Sequence, residues 1–147
     1  DIANKQGRVA GVNIGGGALP FPGIVGAQSF KVFDLEVAAT GLDEREAVEA
    51  GFHPVSTLVW GNAIAGPMPG NRKLGLKLIA DRAMGKLLGA QAVGEMGAVS
   101  RINVLSCALW AGLSLDDAGW LDLAYAPPFS GSRDPIHIAA QALRRQI

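Results

Sequence analysis

Lys73-Leu74-Gly75-Leu76-Lys77-Leu78-Ile79-Ala80-Asp81 is the stretch from which the fold is read. Successive side chains of an extended chain point to opposite sides, so Leu74, Leu76, Leu78 and Ala80 share one face and Lys73, Gly75, Lys77 and Ile79 the other. The pattern is that of a half-buried strand. Asp81 to Lys86 then supplies a turn with Gly85 near its end, and Leu87 to Val93 returns as the partner. An antiparallel hairpin is therefore expected.

Working upstream, Gly66-Pro67-Met68-Pro69-Gly70 reads as a rigid loop, because two prolines cannot sit inside a paired ladder. Val55 to Ile64 before it reads as another strand. Asp43, with Glu46 three residues on, forms a capping box for a short helix to Ala50 that Gly51 closes. Ser29 to Ala39 mixes β-branched and aromatic residues and reads as the first strand, broken by a bulge near Asp34. Ala18 to Gly26, with two prolines and two glycines, is a connection lying against the core. Ile2 to Asn13 reads as a helix stopped by Gly15-Gly16-Gly17. Asp1 is not methionine and nothing ahead of Ile2 caps that helix, which is the signature expected of a fragment boundary.

Downstream, Gly97 to Ala111 carries Ala98, Ile102, Leu105 and Leu109 at helical spacing, with Gly112 as its stop. Ser114 caps a further turn. Asp134-Pro135 caps and opens a last helix whose inner face is Ile136, Ala139, Ala140 and Leu143. Strands and helices are grouped rather than alternating. The expected class is α+β, an antiparallel β-sheet packed with helices.

Composition narrows the partners. Of 147 residues 49% are apolar and 18% charged, with formal net charge +0, so the chain belongs with globular proteins and has no field that would draw in nucleic acid. No apolar run reaches the roughly 18 to 20 residues that a membrane-spanning helix needs. The single cysteine, Cys107, excludes an internal disulfide and fits a reducing, cytoplasmic setting. Its place beside Ala108 and Leu109 favours a buried, inert thiol. His53 and His137 have no carboxylate or cysteine at ligand spacing, so no metal site is expected and surface or core polar roles are the default. The glycine triplet follows a helix, whereas a dinucleotide fingerprint opens one, and it reads as a helix stop.

Leu121-Asp122-Leu123-Ala124-Tyr125-Ala126-Pro127-Pro128-Phe129-Ser130 is too apolar for an ordinary exposed loop. Two readings stand side by side: a loop packed on its own core, or an interface or ligand-facing segment in which Tyr125 offers a rigid ring with one polar tip.

Two of these segments resemble a known family. Ala3-Asn4-Lys5-Gln6-Gly7-Arg8-Val9-Ala10-Gly11, with Asn13-Ile14-Gly15-Gly16-Gly17, looks like the helix after the second FAD-binding segment of NADH oxidases and coenzyme A-disulfide reductases. Leu121 to Ser130 resembles their Tyr-Ala-Pro-Pro-aromatic-Ser segment. Phe30 to Ala38, Thr40-Gly41-Leu42, Leu76 to Asp81 and Gly85 to Gln91 fall between them in the family's order. The resemblance covers nearly the whole chain. It implies the C-terminal dimerisation domain of an FAD-dependent pyridine nucleotide-disulfide oxidoreductase, with residues 1–17 a remnant helix of the FAD-binding domain and 18–147 the dimerisation domain.

The same resemblance implies a homodimeric parent enzyme using FAD and NAD(P)H, with a coenzyme A-type or small oxidant substrate and no cofactor held by the isolated, inactive fragment. Residue by residue it places Ala3 and Asn4 beside the flavin and Asn4 also at the substrate. Tyr125 is lent to the partner subunit's flavin and redox site as a catalytic group. Arg133 meets the coenzyme A phosphates, for which a guanidinium fork is suited. Gly66 to Gly70 departs from the family's tyrosine pair before Pro-Gly, which bears on whether the substrate is coenzyme A disulfide. Neither histidine has the His-Pro-Thr surrounding of glutathione reductase-like relatives, which disfavours that branch. The alternative is a stand-alone self-association module with no redox role.

Overall fold

The computed structural model describes residues 2–147; Asp1, on which the expected fragment boundary turns, lies outside the described residues. In chain order the elements are α1 (Ile2–Ile14), β1 (Gln28–Val32), β2 (Leu35–Gly41), α2 (Glu44–Glu49), β3 (Pro54–Asn62), β4 (Lys73–Asp81), β5 (Leu87–Gly94), α3 (Ala98–Trp110), α4 (Leu115–Gly119) and α5 (Pro135–Arg144). The strands form one sheet in the order β1-β2-β5-β4-β3. Every pairing is antiparallel. The α+β reading holds.

The hairpin that decided the fold sits inside the sheet. Leu74 pairs with Gly94 and Leu78 with Ala90, and the register shifts after Ile79 so that Ala80 meets Leu87. Leu74, Leu76, Leu78 and Ala80 face a core closed by Ile102 and Leu105 of α3 and Ile136 and Leu143 of α5. Burying such side chains, at about 1.5–3 kcal/mol each, is what binds the helices to the sheet.

The expectation of a half-buried β4 needs correction. Ile79, on the other face, is fully buried in a second cluster with Ala47 of α2 and Leu88. Gly75 is buried beneath Trp60, whose ring would lie 3.2 Å from a Cβ added there. The short helix α2 and one edge-strand aromatic thus cover parts of the face that alternation assigned to solvent. Lys77 on that face pairs with Glu44 of α2. Its hydrogen bond, helped by the Ser56 hydroxyl at 2.8 Å, holds the Glu44 carboxyl below the ordinary carboxylate range.

A second correction concerns Asp34. Val32 pairs directly with Leu35, so Phe33-Asp34 is a two-residue hairpin turn between two strands. Phe33 takes φ 51, the left-handed conformation such turns require, and a bulge inside one strand is not what the chain makes.

The caps follow expectation. Asp43 and Glu46 form a capping box for α2, as do Ser114 and Asp117 for α4. The α3 cap comes from elsewhere: Gly97 has no side chain to offer, and the Glu36 carboxylate on β2 accepts from the N–H groups of Ala98 (2.8 Å) and Val99 (3.2 Å). A carboxylate at a helix N-terminus satisfies orphan donors and meets the positive end of the dipole. Helix and sheet are locked through it.

Candidate functional site

Leu121 to Asp134 connects α4 to α5 without regular structure, and three separate elements fix it. His137 of α5 donates from Nε2 to the Leu121 carbonyl at 2.9 Å. Ala65, in the loop after β3, donates its N–H to the Pro127 carbonyl at 3.0 Å. Ser130 Oγ lies 3.0 Å from both Asp134 Oδ2 and the Gly131 carbonyl, and the carboxylate is the stronger acceptor for its single proton. Between the anchors the Ala126 carbonyl accepts from the N–H groups of Phe129 and Ser130 at 2.9 and 3.1 Å, closing a local turn.

The segment is packed in part, with Leu123 against the core, and its aromatic rings face outward. Tyr125 is 56% exposed and Phe129 74%, while Ser130 is buried. Two aromatic rings facing solvent on a tethered backbone suit contact with another surface, since aromatics supply contact area at little entropic cost.

Beneath the loop lies a group that sequence reasoning missed. Arg101 and Asp134 are 5% and 6% exposed and form a salt bridge at 2.9 Å. Arg101 Nε and Nη2 both donate to Asp134 Oδ2, and Nη2 also donates to the Ala63 carbonyl at 2.9 Å. Asp134 Oδ1 accepts from the Ile136 N–H at 3.0 Å, capping α5. Removing one member of such a buried pair costs about 3–5 kcal/mol, because the other is left charged and alone. A hint was present in the sequence: an arginine three residues after Ala98 and four before Leu105 falls on the helix face that packs inward.

The residues singled out by sequence do not gather into one site. Ala3 and Asn4 are exposed on α1, and Ala3 lines a cleft of about 310 Å³ with Gly23, Ile24 and Trp110. The neighbours of Tyr125 in the chain, Ala124 and Phe129, line a different cleft of about 230 Å³ with Val104 and Ile136. Arg133 is exposed and turned along α5, its Nη2 donating to Gln141 Oε1 at 2.8 Å. Tyr125 and Arg133 therefore share one loop, and Ala3 and Asn4 stand apart from it.

Cys107 requires correction: it is exposed on α3, because Leu105 and Ala108 take the inward positions. His137 performs the polar structural role expected of it. Among the described residues, no three His, Cys, Asp or Glu side chains gather as metal ligands, and no helix is long and apolar enough to cross a membrane.

Comparison with known proteins places these features. Residues 27–135 match the family described as the pyridine nucleotide-disulphide oxidoreductase dimerisation domain. The NAD(P)H sulfur oxidoreductase (CoA-dependent) of Pyrococcus furiosus is 40% identical over 141 residues, 96% of this chain and 32% of the relative. The coenzyme A disulfide reductase of Staphylococcus epidermidis is 36% identical over 124 residues, 84% of this chain and 28% of that protein. The solved NAD-dependent persulfide reductase from A. fulgidus superposes with TM-score 0.94 at 41% identity, covering 99% of this chain and 27% of its own. The chain thus spans about a third of the length of the curated relatives it matches.

Proposed function

From the premise that this chain belongs to the pyridine nucleotide-disulphide oxidoreductase family, as its dimerisation domain, we propose that it forms the subunit contact of a homodimeric, FAD-dependent NAD(P)H oxidoreductase and lends part of its partner's active site. The type is that of NADH oxidases and coenzyme A-disulfide reductases. The substrate class is a sulfur–sulfur bond handled with coenzyme A, as the names of the Pyrococcus and Staphylococcus relatives suggest. The observation that carries this reading is the Tyr125 loop, whose aromatic side chains are exposed although its backbone is tethered to the core.

Tyr125 is the group lent across the dimer, where its hydroxyl meets the flavin and the reacting sulfur. FAD, when bound, supplies the electron relay from NAD(P)H. Ala3 and Asn4 belong to a segment, residues 1–17, of the flavin-binding part, and residues 18–147 to the dimerisation domain. In support, no residue of α1 is buried against the rest of the chain. Arg133 meets coenzyme A phosphates by exchanging its contact with Gln141 for them. One free cysteine and balanced charge suit a reducing cytoplasm.

Two measurements test this. Light scattering on the chain should show a dimer at tens of micromolar, an order suited to a moderate interface, and Phe129→Asp should weaken it by setting like charges close together across a two-fold axis. In the intact enzyme, Tyr125→Phe should slow turnover of disulfide or persulfide substrates while flavin content stays unchanged, because only the hydroxyl is lost. Undiminished turnover on every such substrate would remove Tyr125 from the site.

A further inference from the structure

Tyr125 has no side-chain tether of its own, yet the three anchors of its loop trace back to the elements around one buried guanidinium. On one side Arg101 holds Asp134, which in turn holds Ser130. On the other it holds the Ala63 carbonyl, where the chain leaves β3 for the loop in which Ala65 binds Pro127. The third anchor, His137, stands on the helix that Asp134 caps. Only a planar fork reaches Asp134 and Ala63 together; a lysine ammonium is a point charge on a flexible stem. The backbone makes room for the fork: a Cβ at Gly97 would lie 2.3 Å from Arg101 Nη1.

We infer that Arg101 is the positioning residue for Tyr125, acting through Asp134 and Ser130, and that it sets the shape of the 121–134 loop within the single subunit, before any partner docks. The inference rests on the reading of Tyr125 as a group lent to the partner, and adds that the lent group arrives already placed. A preformed loop loses less entropy on association than one ordered by it.

The chain has one tyrosine and three tryptophans, so 3-fluorotyrosine gives one ¹⁹F line that reports Tyr125 alone, and 5-fluorotryptophan reports the remaining fold. At a concentration where light scattering shows the wild-type chain as a monomer, the tyrosine line of Ser130→Ala should move toward the position of the free amino acid and narrow, with the tryptophan lines unmoved. The Phe129 and Ser130 amides should exchange faster by about tenfold, the scale of one lost charge-assisted hydrogen bond. Ser130→Thr, which keeps the hydroxyl, should restore the line. Arg101→Lys should move it as Ser130→Ala does, and should that variant also disturb the tryptophan lines, Ser130→Ala decides. A tyrosine line unchanged from wild type in Ser130→Ala overturns the inference. A displaced line together with normal turnover of Tyr125→Phe would instead sink the proposed role of Tyr125 and leave its positioning by Arg101 standing.

Discussion

Two helices of equal length, α1 and α3, are each 13 residues long and live in different physical circumstances. α3 buries Ala98, Arg101, Ile102, Leu105 and Ala108 against the sheet and receives its cap from Glu36 on β2. In α1 no residue is buried, Val9 is half-buried, and Ile14 at its end is 88% exposed. A helix of this length is marginal in water without tertiary contacts; packing holds α3, and α1, with no residue buried, has far less of it. Helical pattern alone does not tell where stability resides.

The largest way to break that comparison is to empty the core under α3. Leu105→Ala should lower unfolding stability by about 2–5 kcal/mol, the usual cost of a cavity beneath a fully buried leucine. Ile14→Ala should stay within about 0.5 kcal/mol. Urea denaturation of the two variants reads both, and equal losses would abolish the distinction. Next comes the shared cap. Glu36→Ala strips Ala98 and Val99 of their acceptor and should cost about 1–2 kcal/mol, seen as a lower Tm.

A smaller change, of opposite sign, belongs to α1. A Cβ at Gly7 or Gly11 would meet nothing within 4 Å. Alanine there should favour the helix by about 0.5–1 kcal/mol each, raising ellipticity at 222 nm while the Tm of the core stays put. A rise in Tm would mean that α1 unfolds together with the sheet.

The last difference shows only in acid. The His53 N–H, seconded by that of Met84, holds the Asp81 carboxyl below its ordinary value at the end of β4. A carboxyl depressed in the folded state contributes stability that is complete above its unfolded pKa of about 3.9 and disappears as pH falls through the lower folded value. Asp81→Asn should therefore flatten stability against pH below about 4. Parallel acid profiles for variant and wild type would contradict that origin.

Much of this architecture was legible because its signals are local. The alternation in β4, the capping pair Asp43 with Glu46, the cap Ser114, and Asp134-Pro135 at the start of α5 all act within a few residues. The Tyr125 loop stood out through its own composition. The pairing of Arg101 with Asp134 did not, because the two are 33 residues apart and nothing in either neighbourhood names the other. Cys107 was misplaced because its apolar neighbours were read in place of its angle: it stands about 200° around α3 from Leu105, on the solvent face.

The sequence by itself determined the class of fold, one antiparallel hairpin and the helices, since periodicity and capping are written in neighbouring residues, and the family was legible in the order of its motifs. Tertiary structure alone decided that β4 is covered on both faces and that a strand carboxylate caps α3. It also decided that one buried guanidinium holds the loop bearing Tyr125. Each depends on groups distant in sequence meeting at hydrogen-bond or van der Waals distance, and only the folded chain brings them there.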